Sequence, residues 1–327
     1  MSVQAEPAGL EAWLALARRL EAAGFAALLM ADHPGSVASP WPALGCAAAV
    51  TRTLGLGTNV AQGGVREPVH VAADAATLSL LAPGRVVLGI GAGHTPQEWA
   101  DIGRPRPSPP ERAGRLAEFA EAVAGLLAGA TVTLDGQYLA LRGARLGGAL
   151  AGAAPVRLVI GGGHPRLLRA AARRADVVGL VGLGRTLPDG HQHEVRWSAA
   201  DLRGQLDLIR AEADQAGRAG RPPVLEALVQ VVRVTDDRDA ALAEVGAEIP
   251  SAAAEDLAQT PFLLIGSHEQ MAAQLRRQAA ELGITSYVVR QGAVPDLEQV
   301  LTLLARPRSP RRATPLPPPS MIAEPGQ

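Results

Sequence analysis

The run RVVLGIGAGHTPQEW, residues 85–99, constrains this chain more than any other stretch. Apolar residues climb into a glycine ladder, Gly89, Gly91 and Gly93, and the chain then breaks into polar loop. Such a run predicts a buried parallel strand whose C-terminal end opens on a site where backbone approaches something flat. A dinucleotide fingerprint needs a helix directly after its glycines. Pro96 and the cluster Pro105, Pro107, Pro109 and Pro110 follow instead, which disfavours that reading. The same sequence of strand, small residues and loop recurs at 25–30, 54–60, 156–160 and 177–181. A barrel of such units is the economical solution, with an open doubly wound sheet as the alternative.

Helical spacing fills the intervals. It predicts helices over 10–23, with Gly24 at the cap, over 42–52, over 68–81 behind Pro68, and over 112–128. Residues 131–141 read as a hairpin about Asp135-Gly136, and 182–197 as a polar loop. Ser198 and Asp201 form a capping box for a helix to about 216, and Asp236-Asp237 start another. Residues 225–234 give a seventh strand, 270–282 a helix, 287–290 an eighth strand and 296–304 a last helix. The first strand is a stub at 1–4, which leaves one seam open. The expected architecture is therefore an α/β fold, a (β/α)8 barrel with a reduced first strand, formed by 1–305 as one domain. Residues 306–327, rich in Pro and Arg, are expected to be disordered.

With 47% apolar but only 3% aromatic residues, packing must rest on Ala, Leu and Val. A net charge of −1 argues against nucleic acid or a membrane surface as partner. No apolar run reaches the roughly 20 residues of a membrane span. The single cysteine, Cys46, excludes a disulfide framework and is expected in the core of its alanine-rich helix. With no secretory signal at the N-terminus, these features predict a cytoplasmic protein.

Several strand ends carry chemistry. Gly161, Gly162 and Gly163 deliver the chain onto a helix begun at His164-Pro165, where free N–H groups and the positive dipole end form an anion site. A ligand-free tight turn is the alternative. Asp32-His33 ends the second strand, on the face where barrels keep catalytic groups; His33 is a natural proton carrier that a neighbouring carboxylate can tune. Thr58, Asn59 and Val60 end the third strand, and Asn59, the sole Asn of the chain, suits either a strained peptide or an ordinary turn. His94 and Glu98 are placed to line the pocket or to face solvent. His191-x-His193 lacks the Cys or carboxylate company of a metal pair, so no metal is expected.

The run TRTLGLGTNVAQGGVREPVHVAADAATLSLLAPGRVVLGIGAG, residues 51–93, resembles the signature of the bacterial luciferase-like superfamily of flavin- and deazaflavin-dependent oxidoreductases. Arg66-x-Pro68, AATLSLLAPGR, LEAAGFAALLMADH, VIGGGHPRLLRAAARRADVVGL, FLLIGSHEQMAAQL and GITSYVV continue the likeness to about Val289, closest to the coenzyme F420-dependent branch. The resemblance implies a cofactor ring across the barrel mouth against Asp32, His33, Thr58, Asn59, Val60, Gly91, Ala92, Gly93 and His94. It implies a non-proline cis peptide near Asn59-Val60, and a cofactor phosphate on Gly161, Gly162, Gly163 and the sixth strand's end, Gly179 to Gly182. It further implies that Asp32 and His33 provide a ring contact and an acid/base group, that a small molecule is the substrate, and that the protein is a homodimer. The expected activity is hydride transfer between coenzyme F420 and that substrate. An FMN-dependent monooxygenase is the first alternative, and a non-catalytic flavin-binding barrel the second. His94 stands where relatives often carry a bulkier aromatic.

Overall fold

The computed structural model describes residues 1–187, 193–249 and 252–305. Its strands begin with β1 (Ser2–Gln4), β2 (Ala27–Met30), β3 (Gly55–Gln62) and β4 (Val86–Gly91), followed by the hairpin of β5 (Val132–Asp135) and β6 (Ala140–Ala144). Then come β7 (Arg157–Gly161), β8 (Val177–Leu180), β9 (Leu183–Thr186) and β10 (His193–Val195). The last are β11 (Val224–Leu228), β12 (Val231–Val234), β13 (Leu263–Gly266) and β14 (Ile284–Arg290). A closed barrel runs β1-β14-β11-β8-β7-β4-β3-β2, with every neighbouring pair parallel.

The helices are α1 (Leu10–Ala22), α2 (Pro40–Val50), α3 (Pro68–Leu81), α4 (Pro96–Asp101), α5 (Pro109–Leu127) and α6 (Pro165–Arg174). They continue with α7 (Ala199–Gln215), α8 (Arg238–Glu248), α9 (Ala254–Gln259), α10 (His268–Leu282) and α11 (Val294–Ala305). None of the described helices is long and apolar enough to cross a membrane. α1 buries Trp13, Ala17 and Leu20 at helical spacing, and α5 buries Leu116, Phe119, Ala120 and Val123. Each large apolar side chain so buried stabilises the fold by roughly 1.5–3 kcal/mol. Ala72, Ala75 and Ala76 of α3 are fully buried, so small side chains take the place that aromatics hold in other cores.

The short first strand closes the seam. Ser2, Val3 and Gln4 pair with Val288, Val289 and Arg290 on one side and with Ala27, Leu28 and Leu29 on the other.

Elsewhere the structure corrects the sequence reading. The seventh strand is two: β11 stays in the barrel and ends at Leu228, while β12 leaves it and pairs in parallel with β13. Residues 225–234 are apolar but for Glu226, Gln230 and Arg233, and a run strand-like along its whole length carries no sign of where the chain turns out of one sheet into another. β13 itself, in FLLIG, escapes the sequence reading because so short an apolar run carries no periodicity of its own. The loop at 182–197 contains β9 and β10, an antiparallel pair. α5 starts at Pro109, because Glu111 accepts from Ser108 N at 2.7 Å and closes a capping box there. Cys46 is exposed, not core. α2 turns Leu44, Ala47 and Ala48 inward, and a helix apolar on every side does not announce its buried face. The terminal residues 306–327 lie outside the described residues.

Candidate active site

The strand ends of the barrel surround a cavity of about 870 Å3. Asp32, just past β2, is 2% exposed and turns away from its neighbour His33. Arg66 grips it with two bonds, Nε to Oδ2 at 2.6 Å and Nη2 to Oδ1 at 2.7 Å. The backbone N–H of Gln62 donates to the same carboxylate at 3.0 Å. The end of β2 is thereby fastened to the end of β3 and to the entry of α3.

The carboxylate that meets His33 is Glu98, from α4: His33 Nδ1 lies 2.5 Å from Glu98 Oε1. The expectation that the adjacent Asp32 serves as this partner is corrected by that geometry. Gln62 Nε2 donates to the other oxygen of Glu98, and Gln62 Oε1 accepts from Gly64 N at 2.8 Å. The hydrogen bond to Glu98 raises the His33 pKa above 6.5, and burial opposes that rise only in part. Burial pushes Glu98 up, but the bonds from His33 and Gln62 hold it below the ordinary carboxyl value.

His94 meets the His33 ring edge-on at 5.2 Å and His193 at 4.8 Å. Burial, with the two neighbouring imidazoles, lowers its pKa to about 4, so His94 is neutral where His33 is protonated. His193 lines the cavity, while His191 lies outside the described residues.

The Asn59-Val60 peptide is cis, at the position expected, and the Asn59 carbonyl accepts from Gln4 Nε2. Val60 stands against the glycine ladder. A Cβ on Gly91 would stand 2.3 Å from Val60 Cγ2, so Gly91 is glycine to admit Val60, and Val60 supplies the flat apolar wall that the ladder announced. Asn59, Val60, Gly91, Ala92 and Gly93 line the cavity together with Asp32, His33 and His94. Thr58 does not: it is buried, with Oγ1 donating to Gly89 O at 2.7 Å.

Across the mouth, Gly161, Gly162, Gly163 and Gly179 line the same cavity. Gly162 N donates to Gly179 O at 3.1 Å, and Arg166 N donates to the capping His164 Nδ1 at 3.2 Å. The amides of Gly163 and His164 have no bond among the described residues, so the anion site offers fewer free donors than a whole helix turn. Gly182 is outside the cavity lining. Its φ of +62° and the Phe262 ring, 2.5 Å from where a Cβ would stand, explain that glycine by packing.

Sequence reasoning misses Gln4, Gln62, Arg112, Glu226 and Arg290, all of which line the cavity. Gln62 carries a faint signal, standing two residues beyond Val60 on the same strand face. Glu226, 7% exposed within the barrel, has its pKa raised by burial, against the bond that Ser286 Oγ donates to it at 2.7 Å.

A family model described as luciferase-like monooxygenase matches residues 1–286. An F420-dependent glucose-6-phosphate dehydrogenase of Beutenbergia cavernae is 37% identical over 193 residues, 56% of this chain and 56% of that protein. A protein of the same name from Nakamurella multipartita is 34% identical over 169 residues, 49% of each chain. The chain spans about half the length of the curated relatives it matches. Among solved structures, an F420-dependent secondary alcohol dehydrogenase in complex with an F420-acetone adduct has the same fold. Its TM-score is 0.70 at 20% identity, covering 93% of this chain and 98% of that one.

Proposed function

Since the chain belongs to the luciferase-like monooxygenase family, we propose that it is an oxidoreductase that moves a hydride between coenzyme F420 and a small organic substrate. The observation that carries this reading is the His33–Glu98 pair, with His33 in the cavity wall and Glu98 buried behind it. The names of the relatives at 37% and 34% identity support the same cofactor.

The residues present fit such a group. Val60 and the bare backbone of Gly91, Ala92 and Gly93 offer a flat face. Opposite them, the unbonded amides of Gly163 and His164 suit a phosphate. When bound, F420 supplies hydride chemistry at C5 of its deazaflavin. The chain's own share is orientation and proton handling. Glu98 fixes the proton of His33 on Nδ1, which leaves Nε2 to take or give a proton at the reacting atoms. We assign the acid/base role to His33 and a positioning role to Asp32, which acts through Arg66 and the end of β3. The low pKa of His94 keeps a second positive charge away from His33.

The family description, luciferase-like monooxygenase, supports a monooxygenase as the second reading, and for it we take FMN as the cofactor. Titration of the purified protein with F420 and with FMN, followed by fluorescence, separates the two. F420 binding at least about tenfold tighter supports the deazaflavin reading, a difference of about 1.4 kcal/mol, and the reverse order overturns it. We read 1–305 as one domain, since β1 and β14 pair, and place the protein in the cytoplasm as a homodimer. Sedimentation of the purified chain tests the assembly.

A further inference from the structure

A second cavity, of about 260 Å3, opens between α4, α5 and the turn that joins β5 to β6. Among the described residues it shares none of its wall with the first cavity. The indole of Trp99 stands in that wall, 3% exposed, and its Nε1 is buried with no acceptor among the described residues. A Cβ on Gly64, in the same wall, would stand 2.4 Å from Trp99 Cζ2, so the indole edge that carries Nε1 lies over that glycine. A buried donor without an acceptor is costly, and a ligand atom that accepts from it removes the cost. Arg104, half-exposed beside it, has its backbone N–H bonded to Trp99 O at 2.9 Å. Its guanidinium makes no hydrogen bond among the described residues, and its contact with Glu67 is a loose 3.7 Å pair to a carboxylate that Arg115 already holds at 3.3 Å. The other charges of the wall are committed, Arg115 to the carbonyls of Gly63, Arg66 and Tyr138, and Glu111 to Ser108.

Pro105, Pro107 and Tyr138 supply apolar surface. The volume falls just below the roughly 300–1,000 Å3 of pockets for drug-sized ligands, which suits a single ring with one substituent. An indole N–H and a free guanidinium ask for a carboxylate on that ring. The same wall reaches the proton-holding pair by two short routes. Trp99 follows Glu98 on α4, and Gly64 N donates to Gln62 Oε1 at 2.8 Å while Gln62 Nε2 donates to Glu98. Glu98 in turn meets His33 Nδ1 at 2.5 Å. We propose that the second cavity is a regulatory site for a small aromatic carboxylic acid, whose carboxylate bonds Trp99 Nε1 and Arg104 and whose seating acts on His33 through Gly64, Gln62 and Glu98. A contiguous run of hydrogen bonds carries the effect. The site does not depend on which cofactor the protein takes.

The test follows NMR signals of the intact chain as benzoate is added at constant ionic strength. The Trp99 indole N–H resonance, identified among the four tryptophans by its loss in Trp99→Phe, should move along a saturable curve. The His33 ring resonances should follow the same curve. Arg104→Gln, at a half-exposed position, should weaken the affinity read at both signals by about threefold or more, the worth of a half-exposed charge. A smaller loss overturns the placing of the carboxylate. A Trp99 signal that does not saturate below about 10 mM, weaker than a ligand of this size needs for a built site, overturns the site itself. His33 resonances that stay still, or that saturate on a different curve because benzoate reaches them through the first cavity, overturn the coupling. No step of the titration needs a cofactor or turnover, so failure of the hydride-transfer reading would leave its result unchanged.

Discussion

His33 and Glu98, 65 positions apart, meet Nδ1 to Oε1 at 2.5 Å where the ends of β2 and β4 converge. One is carried on the loop after a strand and the other on a short helix, so only the closed barrel brings them together.

Replacing Glu98 with Gln should lower the His33 pKa, because the raising bond goes and the opposing burial stays. The pair also affects stability. Its contribution is complete between the ordinary values of 4.5 for the carboxyl and 6.5 for the imidazole. It fades above that window as His33 loses its proton, and below it as Glu98 gains one. NMR titration of His33 reads the first effect, and urea unfolding of wild type and Glu98→Gln across pH reads the second. A His33 pKa unchanged in the variant would contradict both.

His94 should act on stability with the opposite sign. Its folded pKa, about 4, lies below the ordinary 6.5, so the unfolded chain binds more protons between those values and acid favours unfolding. His94→Phe removes that contribution. The fall in urea midpoint between pH 7.5 and pH 5 should be smaller in the variant than in the wild type.

Arg66→Met should destabilise the fold by about 3–5 kcal/mol, because it strands the Asp32 carboxylate in a buried site. Asp32→Asn, which keeps a polar acceptor for Gln62 N, should cost less. Chemical denaturation gives both numbers, and equal losses in the two variants would count against the clamp.

Gly91→Ala places a methyl on Val60 and should cost about 1–3 kcal/mol by overpacking. Combined with Val60→Ala, the loss should shrink, giving a coupling energy in a double-mutant cycle. Strictly additive losses would show that the ladder makes room for something other than Val60.

The barrel is legible in the sequence because its signal is local and repeated: apolar strand, small residues, loop, then a helix begun by Pro68 or Pro165. Part of the site is legible for the same reason, since Asp32, His33 and the glycine turn sit at strand ends; Asn59, read as a strand end, lies inside β3, which runs on to Gln62. The proton partner is not. Glu98 is one acidic residue in the first turn of a short helix, and no spacing rule links it to His33. Asp32, adjacent in sequence, is the natural candidate, yet neighbouring residues leaving a strand point to opposite faces. The exit of β12 from the barrel is hidden because a run of valines suits two different sheets equally well.

The side-chain amide of Gln62 is committed at both ends, its nitrogen to Glu98 and its oxygen to Gly64 N. It therefore decides which carboxylate oxygen is left for the imidazole, and it discourages Glu98 from swinging toward solvent. A neutral residue thus holds in place the carboxylate that fixes the Nδ1 proton of His33 at the mouth of the barrel. Exchanging that one amide for an isosteric carboxylate would leave the shape of the pocket intact while undoing its polarity.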